Sequence, residues 1–154
     1  MNGSSFTPRI SVVIPTLNEE RSIGRMISGC KVYAYEIIVV DGHSTDRTRE
    51  IAQELGAKVV LDNGKGKGDA IRESMKYVDG EITVFIDGDG SHDPNDIPKL
   101  IASILRNTAD HVSGSRLMGG SSELHGGFDE FFRLMGSSFI KILGLETTFA
   151  LRRG

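Results

Sequence analysis

Short apolar runs recur along the chain: Ile10–Ile14, Tyr35–Val40, Lys58–Leu61 and Ile82–Ile86, with His111–Ser113 as a weaker fifth. They are rich in Val and Ile and do not alternate with polar residues, which predicts strands buried on both faces. Helical periods lie between them. Ile97, Leu100, Ile101, Ile104 and Leu105 fall on one stripe, and Ile51, Ala52 and Leu55 form a shorter one. A further stripe, Phe128, Phe131, Phe132, Met135, Phe139, Ile140 and Leu143, predicts a helix over 128–143 that packs on the domain's own sheet. A membrane surface or a second copy of the chain is the alternative partner for that face. Strands alternating with helices predict right-handed βαβ units, hence an α/β, three-layer αβα, Rossmann-like fold with a mainly parallel sheet.

In such a sheet, ligands bind beyond the carboxyl ends of the strands. The loops expected there are Pro15–Glu19, Asp41–Asp46, Asp62–Gly68 and Asp87–Ser91. All are polar, and three contain glycine. At 154 residues, with 38% apolar and 25% charged positions, the chain has the size and composition of a single globular domain, with no repeat, linker or charge block to divide it. Its net charge of −3 removes general nucleic-acid binding by phosphate neutralisation, so any phosphate chemistry has to be local. A single cysteine, Cys30, cannot form an internal disulfide. No signal-peptide core or membrane-length apolar run is present, and the expected compartment is the reducing cytoplasm, with contact at the cytoplasmic membrane face left open.

Asp87-Gly88-Asp89 follows the Ile82–Ile86 run, so two carboxylates leave one strand end with a glycine between them that admits close approach to the backbone. Hard oxygen donors in this arrangement suit Mg²⁺ or Mn²⁺ shared with a diphosphate. The alternative is a turn whose acids cap a helix starting near Pro94. A calcium loop is ruled out because His92 stands at its sixth position and Pro98 at its twelfth. Asp41 ends another buried strand, where a carboxylate could accept a hydrogen bond from a base or a ribose, while Ser44, Thr45 and Asp46 are candidate caps for the following helix. Gly64-Lys65-Gly66-Lys67-Gly68 precedes a helix expected from about Asp69, and glycines, lysine and a helix start favour phosphate. It matches neither the Walker loop nor the dinucleotide fingerprint, and a solvated turn is the alternative. Arg116 follows the fifth strand and Arg133 lies on the 128–143 helix; a solvated arginine is the plain reading of each.

Taken in order, Pro15–Glu20, Val40–Thr48, Gly66–Arg72, Asp87–Pro94 and Gly114–Arg116 resemble the nucleotide-diphosphosugar transferases of the GT-A fold, in the inverting family 2 that includes dolichyl-phosphate mannose and glucose synthases. The resemblance spans residues 10 to 135. It implies a metal-dependent inverting glycosyltransferase that moves a sugar from a GDP- or UDP-sugar to an acceptor, with a polyprenyl (dolichyl) phosphate favoured. Alternatives are a small soluble acceptor, or a nucleotide-sugar-binding protein with little activity. By the same resemblance, Pro15, Leu17, Glu19, Val39 and Asp41 meet base and ribose. Asp87, Gly88 and Asp89 meet the nucleotide, Asp87, Asp89 and Ser91 the metal, Arg116 the nucleotide-sugar and Arg133 a phosphate, with Asp89, Arg116 and Arg133 as the catalytic residues. Lys67 is expected at the diphosphate.

The sequence departs from the pattern in three places. Gly42 stands where a second acid usually follows Asp41; there is no Trp, hence no Gln-x-x-Arg-Trp signature of polymer synthases; and Leu145–Arg153 reads as a shortened form of a family motif. The resemblance therefore implies one domain over residues 1–154 with an abbreviated acceptor side. For a hydroxyl acceptor, Glu123 and Asp129 are the unmarked candidates for a base.

Overall fold

The first apolar run becomes the central strand β1 (Ile10–Thr16), flanked in parallel by β2 (Glu36–Asp41) and β4 (Ile82–Phe85), with β3 (Lys58–Leu61) parallel outside β2. The computed structural model describes residues 7–115, 120–124 and 147–153. Three further strands, β5 (His111–Ser115), β6 (Gly120–Leu124) and β7 (Thr147–Arg152), complete one sheet in the order β3-β2-β1-β4-β7-β5-β6. β7 is antiparallel to both β4 and β5, and two reversals restore direction. Five strands therefore run one way, and only β6 and β7 oppose them. Thr147–Arg152, within the stretch read from sequence as a shortened motif, thus forms an interior strand.

Alternation along the strands sends side chains to two helical layers. Val12, Ile14, Ile37, Val39 and Val84 pack with α1 (Ile23–Cys30), α2 (Thr48–Glu54) and α4 (Ile97–Leu105). Val13, Ile38, Val40 and Phe85 pack on the other face with Ala70 and Ile71 of α3 (Lys67–Ser74). The three-layer arrangement is the one the sequence predicts. On α4, Ile97, Leu100, Ile101 and Ile104 are buried as expected, but Leu105 is 47% exposed.

Pro15 shapes the site edge. β1 pairs with β2 as far as Thr16↔Asp41, whereas its ladder with β4 stops at Val13↔Phe85. Having no N–H, Pro15 cannot extend that ladder, and β4 gives way to the acidic loop at this point. Among the described residues no helix is long and apolar enough to cross a membrane. Arg116, Arg133 and the 128–143 stripe lie outside the described residues.

Candidate functional site

The loops after β1, β2, β3 and β4 meet around one open cleft of about 510 Å³. Of the residues expected there, Pro15, Leu17, Glu19, Lys67, Asp87, Gly88 and Asp89 line it. Thr16, Val40, Gly42, Asp62, Gly64, Gly66 and Ala70 line it too, and none of these seven had been marked as a site residue in its own right.

Two residues expected at base and ribose, Val39 and Asp41, do not line the cleft. The Val39 side chain is fully buried in the core on the α1–α2 face, and Val40 is the β2 residue at the cleft. Asp41, expected to face a base or ribose, is 0% exposed. Its Oδ1 accepts from Ser44 Oγ (2.5 Å) and Thr16 Oγ1 (3.4 Å), its Oδ2 accepts from Ser44 N–H (2.8 Å), and Arg49 Nε lies 3.6 Å from Oδ2. A buried carboxylate needs such partners, and here they make it a brace for the loop. The same stitching ties the β1 and β2 loops together: Asn18 N–H donates to Ser44 Oγ (2.8 Å), Thr45 N–H to Asn18 Oδ1 (2.8 Å) and Glu19 N–H to Thr48 Oγ1 (2.8 Å). Of the three candidate caps, Asp46 accepts from Thr48 N–H at 2.9 Å near the start of α2, while Ser44 serves Asp41.

Gly88 is where the acidic loop crosses β1. A Cβ there would sit 2.6 Å from Thr16 Cγ2 and 3.3 Å from Ile14 Cγ2, so no other residue fits without displacement. Its carbonyl accepts from Ser22 Oγ at 2.6 Å and its N–H approaches Pro15 O at 3.4 Å. The loop is thereby fixed while Asp89 stays exposed. α3 begins at Lys67, two residues before the expected start, because Gly66 at φ 95° supplies the turn. Lys67 Nζ forms an ion pair with Asp87 Oδ1, closing one side of the cleft, and His92 Nε2 lies 3.9 Å from Asp87 Oδ2.

Three carboxyls, Glu19, Asp87 and Asp89, share this edge of the cleft. Burial, and then the charge of Asp89, push Glu19 above its ordinary value. Burial also works against ionisation of Asp89, but hydrogen bonding from Ser91, whose N–H donates to Oδ1 at 2.8 Å, together with His92 and Lys67 holds it below its ordinary value. An ionised Asp89 beside a resisting Glu19 is a place where a cation would relieve repulsion. Ser91 Oγ is buried beside Asp89 and makes no hydrogen bond of good geometry among the described residues. The donors are all oxygen, which suits Mg²⁺ or Mn²⁺. Among the described residues no group of three or more His, Cys, Asp or Glu is placed to hold a metal ion.

A family model described as glycosyl transferase family 2 matches residues 11–153. The chain belongs to glycosyl transferase family 2. Within the family it is 40% identical over 121 residues to a dolichol-phosphate mannosyltransferase of Pyrococcus furiosus, covering 73% of this chain and 34% of that protein. It is 36% identical over 109 residues to the glycosyltransferase AglJ of Haloferax volcanii, covering 70% of this chain and 36% of the relative. The chain thus spans about a third of the length of these curated relatives. Among solved structures, glucosyl-3-phosphoglycerate synthase of Mycobacterium tuberculosis with UDP superposes with a TM-score of 0.65 at 30% identity, covering 94% of this chain and 57% of that one. The same enzyme with Mn²⁺, UDP and glucosyl-3-phosphoglycerate gives 0.57 at 37% identity over 64% of this chain and 40% of the other.

Proposed function

We propose that this chain carries the donor-binding and metal-binding core of an inverting glycosyltransferase that moves a sugar from a nucleoside-diphosphate sugar to a polyprenyl phosphate at a cytoplasmic membrane face. The observation that carries the reading is the convergence on one cleft of the acidic loop Asp87–Asp89, Lys67 at the glycine-rich turn, and the Pro15–Glu19 loop. Leu17, 56% exposed, offers an apolar wall for a base. Lys67 exchanges its ion pair with Asp87 for a diphosphate oxygen as the donor enters. Asp89, with Asp87 and Ser91, would hold a divalent cation, which would supply positive charge against the departing nucleoside diphosphate. Asp41 keeps the loops in register, and Arg116 and Arg133 hold the acceptor phosphate. A phosphate oxygen is already anionic, so it attacks the anomeric carbon without a general base. The bond from that carbon to the diphosphate oxygen breaks as the new one forms on the opposite face.

The acceptor assignment draws on the 40% identity to the Pyrococcus enzyme, named a dolichol-phosphate mannosyltransferase. A second reading, a small soluble phosphorylated acceptor, is favoured by the Mycobacterium enzyme, whose structures hold phosphoglyceric acid. Radiolabelled UDP- and GDP-sugars with Mn²⁺, offered polyprenyl phosphate in detergent or phosphoglycerate in buffer, separate the two. Label in the organic phase supports the lipid acceptor, label only in the aqueous product supports the second reading, and absence of donor binding overturns both.

A further inference from the structure

On the far wall of the cleft from the acidic loop, Asp62 follows β3 with a carboxylate that is largely buried yet not saturated. Its side chain is 9% exposed, and it lines the cleft. Oδ1 accepts from Gly64 N–H at 2.8 Å and lies 3.6 Å from His43 Nε2. The backbone on either side is also committed. Asp62 N–H donates to Asp41 O at 3.0 Å, and His43 Nε2 lies 3.0 Å from Asp62 O; a carbonyl only accepts, so that nitrogen carries the hydrogen. Oδ2 has no hydrogen bond among the described residues.

Oδ2 faces a specific gap. A Cβ placed on Gly42 would meet Asp62 Oδ2 at 3.5 Å, Leu17 Cδ1 at 3.7 Å and Thr16 O at 3.3 Å. The side chain that Gly42 lacks leaves a slot with an apolar wall, Leu17, and one open anionic acceptor, Oδ2. The Thr16 carbonyl is already used by Gly42 N–H at 2.8 Å. The slot sits at the end of the cleft formed by β2 and β3, away from Asp87 and Asp89 on β4.

We infer that Asp62 is the specificity-determining residue for the donor's base, accepting through Oδ2 one hydrogen bond from a ring N–H of a uracil-type pyrimidine laid against Leu17. The inference rests on the nucleotide-sugar reading of this cleft. Its logic is complementarity at a buried charge. Uracil presents one ring N–H between two carbonyls, which a single open acceptor satisfies. Cytosine and adenine present an unprotonated ring nitrogen at the corresponding edge, setting a lone pair against the carboxylate, and a buried acceptor left without its donor is costly. Guanine adds an exocyclic amine that needs a second acceptor, and Oδ1 is already engaged by Gly64.

Calorimetric titration of the full chain in Mn²⁺ with UDP, CDP, GDP, ADP and inorganic pyrophosphate tests this. The wild type is expected to bind UDP most tightly. Asp62→Ala is expected to weaken UDP by about 10- to 100-fold, the loss of one charge-assisted hydrogen bond, and to bring the four nucleotides towards parity, with pyrophosphate unchanged. Because Asp62 also anchors Gly64, Asp62→Asn serves as the second variant. Its amide oxygen can keep the Gly64 bond while its NH₂ faces the slot, so CDP is expected to gain relative to UDP. If the wild type prefers UDP and both variants keep that preference, the inference is overturned while the functional reading stands. If the wild type prefers GDP, the inference also falls. If no nucleoside diphosphate binds the wild type, the functional reading itself fails.

Discussion

Ser22 Oγ donates a 2.6 Å hydrogen bond to the carbonyl of Gly88, joining the residue before α1 to the middle of the acidic loop. Ser22 is 9% exposed, so the carbonyl has no ready replacement from solvent. Ser22→Ala is expected to cost about 1–2 kcal/mol of stability, read from urea denaturation. Because the Gly88 carbonyl then loses its anchor, Mn²⁺-dependent nucleotide binding is expected to weaken more than metal-free binding. Equal weakening of the two would mean that the bond supports the fold without aligning the acids.

Within the loop itself, the two substitutions Gly88→Ala and Asp89→Ala should behave in opposite ways. Gly88→Ala forces a methyl to 2.6 Å from Thr16 Cγ2, which is overpacking, and is expected to destabilise by about 1–3 kcal/mol. Asp89 is exposed, and its hydrogen bond from Ser91 N–H lies at the surface, so Asp89→Ala is expected to change the melting temperature little while removing the metal dependence of nucleotide-sugar binding. Thermal melts beside Mn²⁺ titrations check both. Retained metal dependence in Asp89→Ala would take that residue out of the cation site.

At the opposite end of the sheet, Glu81 accepts from Arg9 N–H at 2.6 Å and from Arg9 Nε at 3.4 Å. The Arg9 N–H bond, with the guanidinium beside it, holds the Glu81 carboxyl below its ordinary value of 4.5. A carboxyl lowered by folding stabilises the native state at pH above its unfolded value and loses that contribution as pH falls through the folded one. The melting temperature is therefore expected to drop as pH is taken below 4.5, and Glu81→Gln to show a shallower drop over the same range. Identical acid profiles would remove Glu81 from the account.

Cys30 is fully buried, and burial pushes its thiol up to about 12. The thiolate is the reactive form, so alkylation at pH 8 is expected to be negligible in the native protein and fast in denaturant. The rate of labelling in intermediate urea then reports unfolding around α1, and nucleotide with Mn²⁺ should slow it. Rapid native-state labelling would mean that α1 opens independently of the sheet.

The legible and illegible parts of the structure divide along physical lines. β1, β2 and β4 could be read from sequence because strands covered on both faces need unbroken apolar runs, and Asp87-Gly88-Asp89 stood out because two acids with a glycine between them follow such a run directly. That same lack of alternation hid the facing of β2. In Ile37–Val40 every residue is buried, so nothing in the pattern distinguishes Val39, in the α1–α2 layer, from Val40 at the cleft. Asp41 looked like an available carboxylate because sequence does not reveal the Ser44, Thr16 and Arg49 contacts that enclose it. Asp62 carries no mark in the sequence beyond opening the Asp62–Gly68 loop, since its meaning comes from the gap at Gly42, twenty residues earlier in the chain. β6, reading Gly-Ser-Ser-Glu-Leu, and β7, reading Thr-Thr-Phe-Ala-Leu-Arg, carry no strong strand signal; pairing with distant segments makes them strands.

The insertion of β7 between β4 and β5 also sets an order of events in folding. The strands that carry the cleft, β1 to β4, are joined by short crossovers and can pair with one another early. β4, however, keeps one edge of unpaired N–H and C=O groups until residues 147–152 arrive from far along the chain. Closing so long a loop is entropically slow. For that interval β4 offers its Ile-Thr-Val-Phe backbone to any strand that reaches it, including the corresponding strand of another copy. Sheet closure is thus a race between an intramolecular strand and an intermolecular one, and refolding yield should fall as protein concentration rises even where the finished molecule is stable.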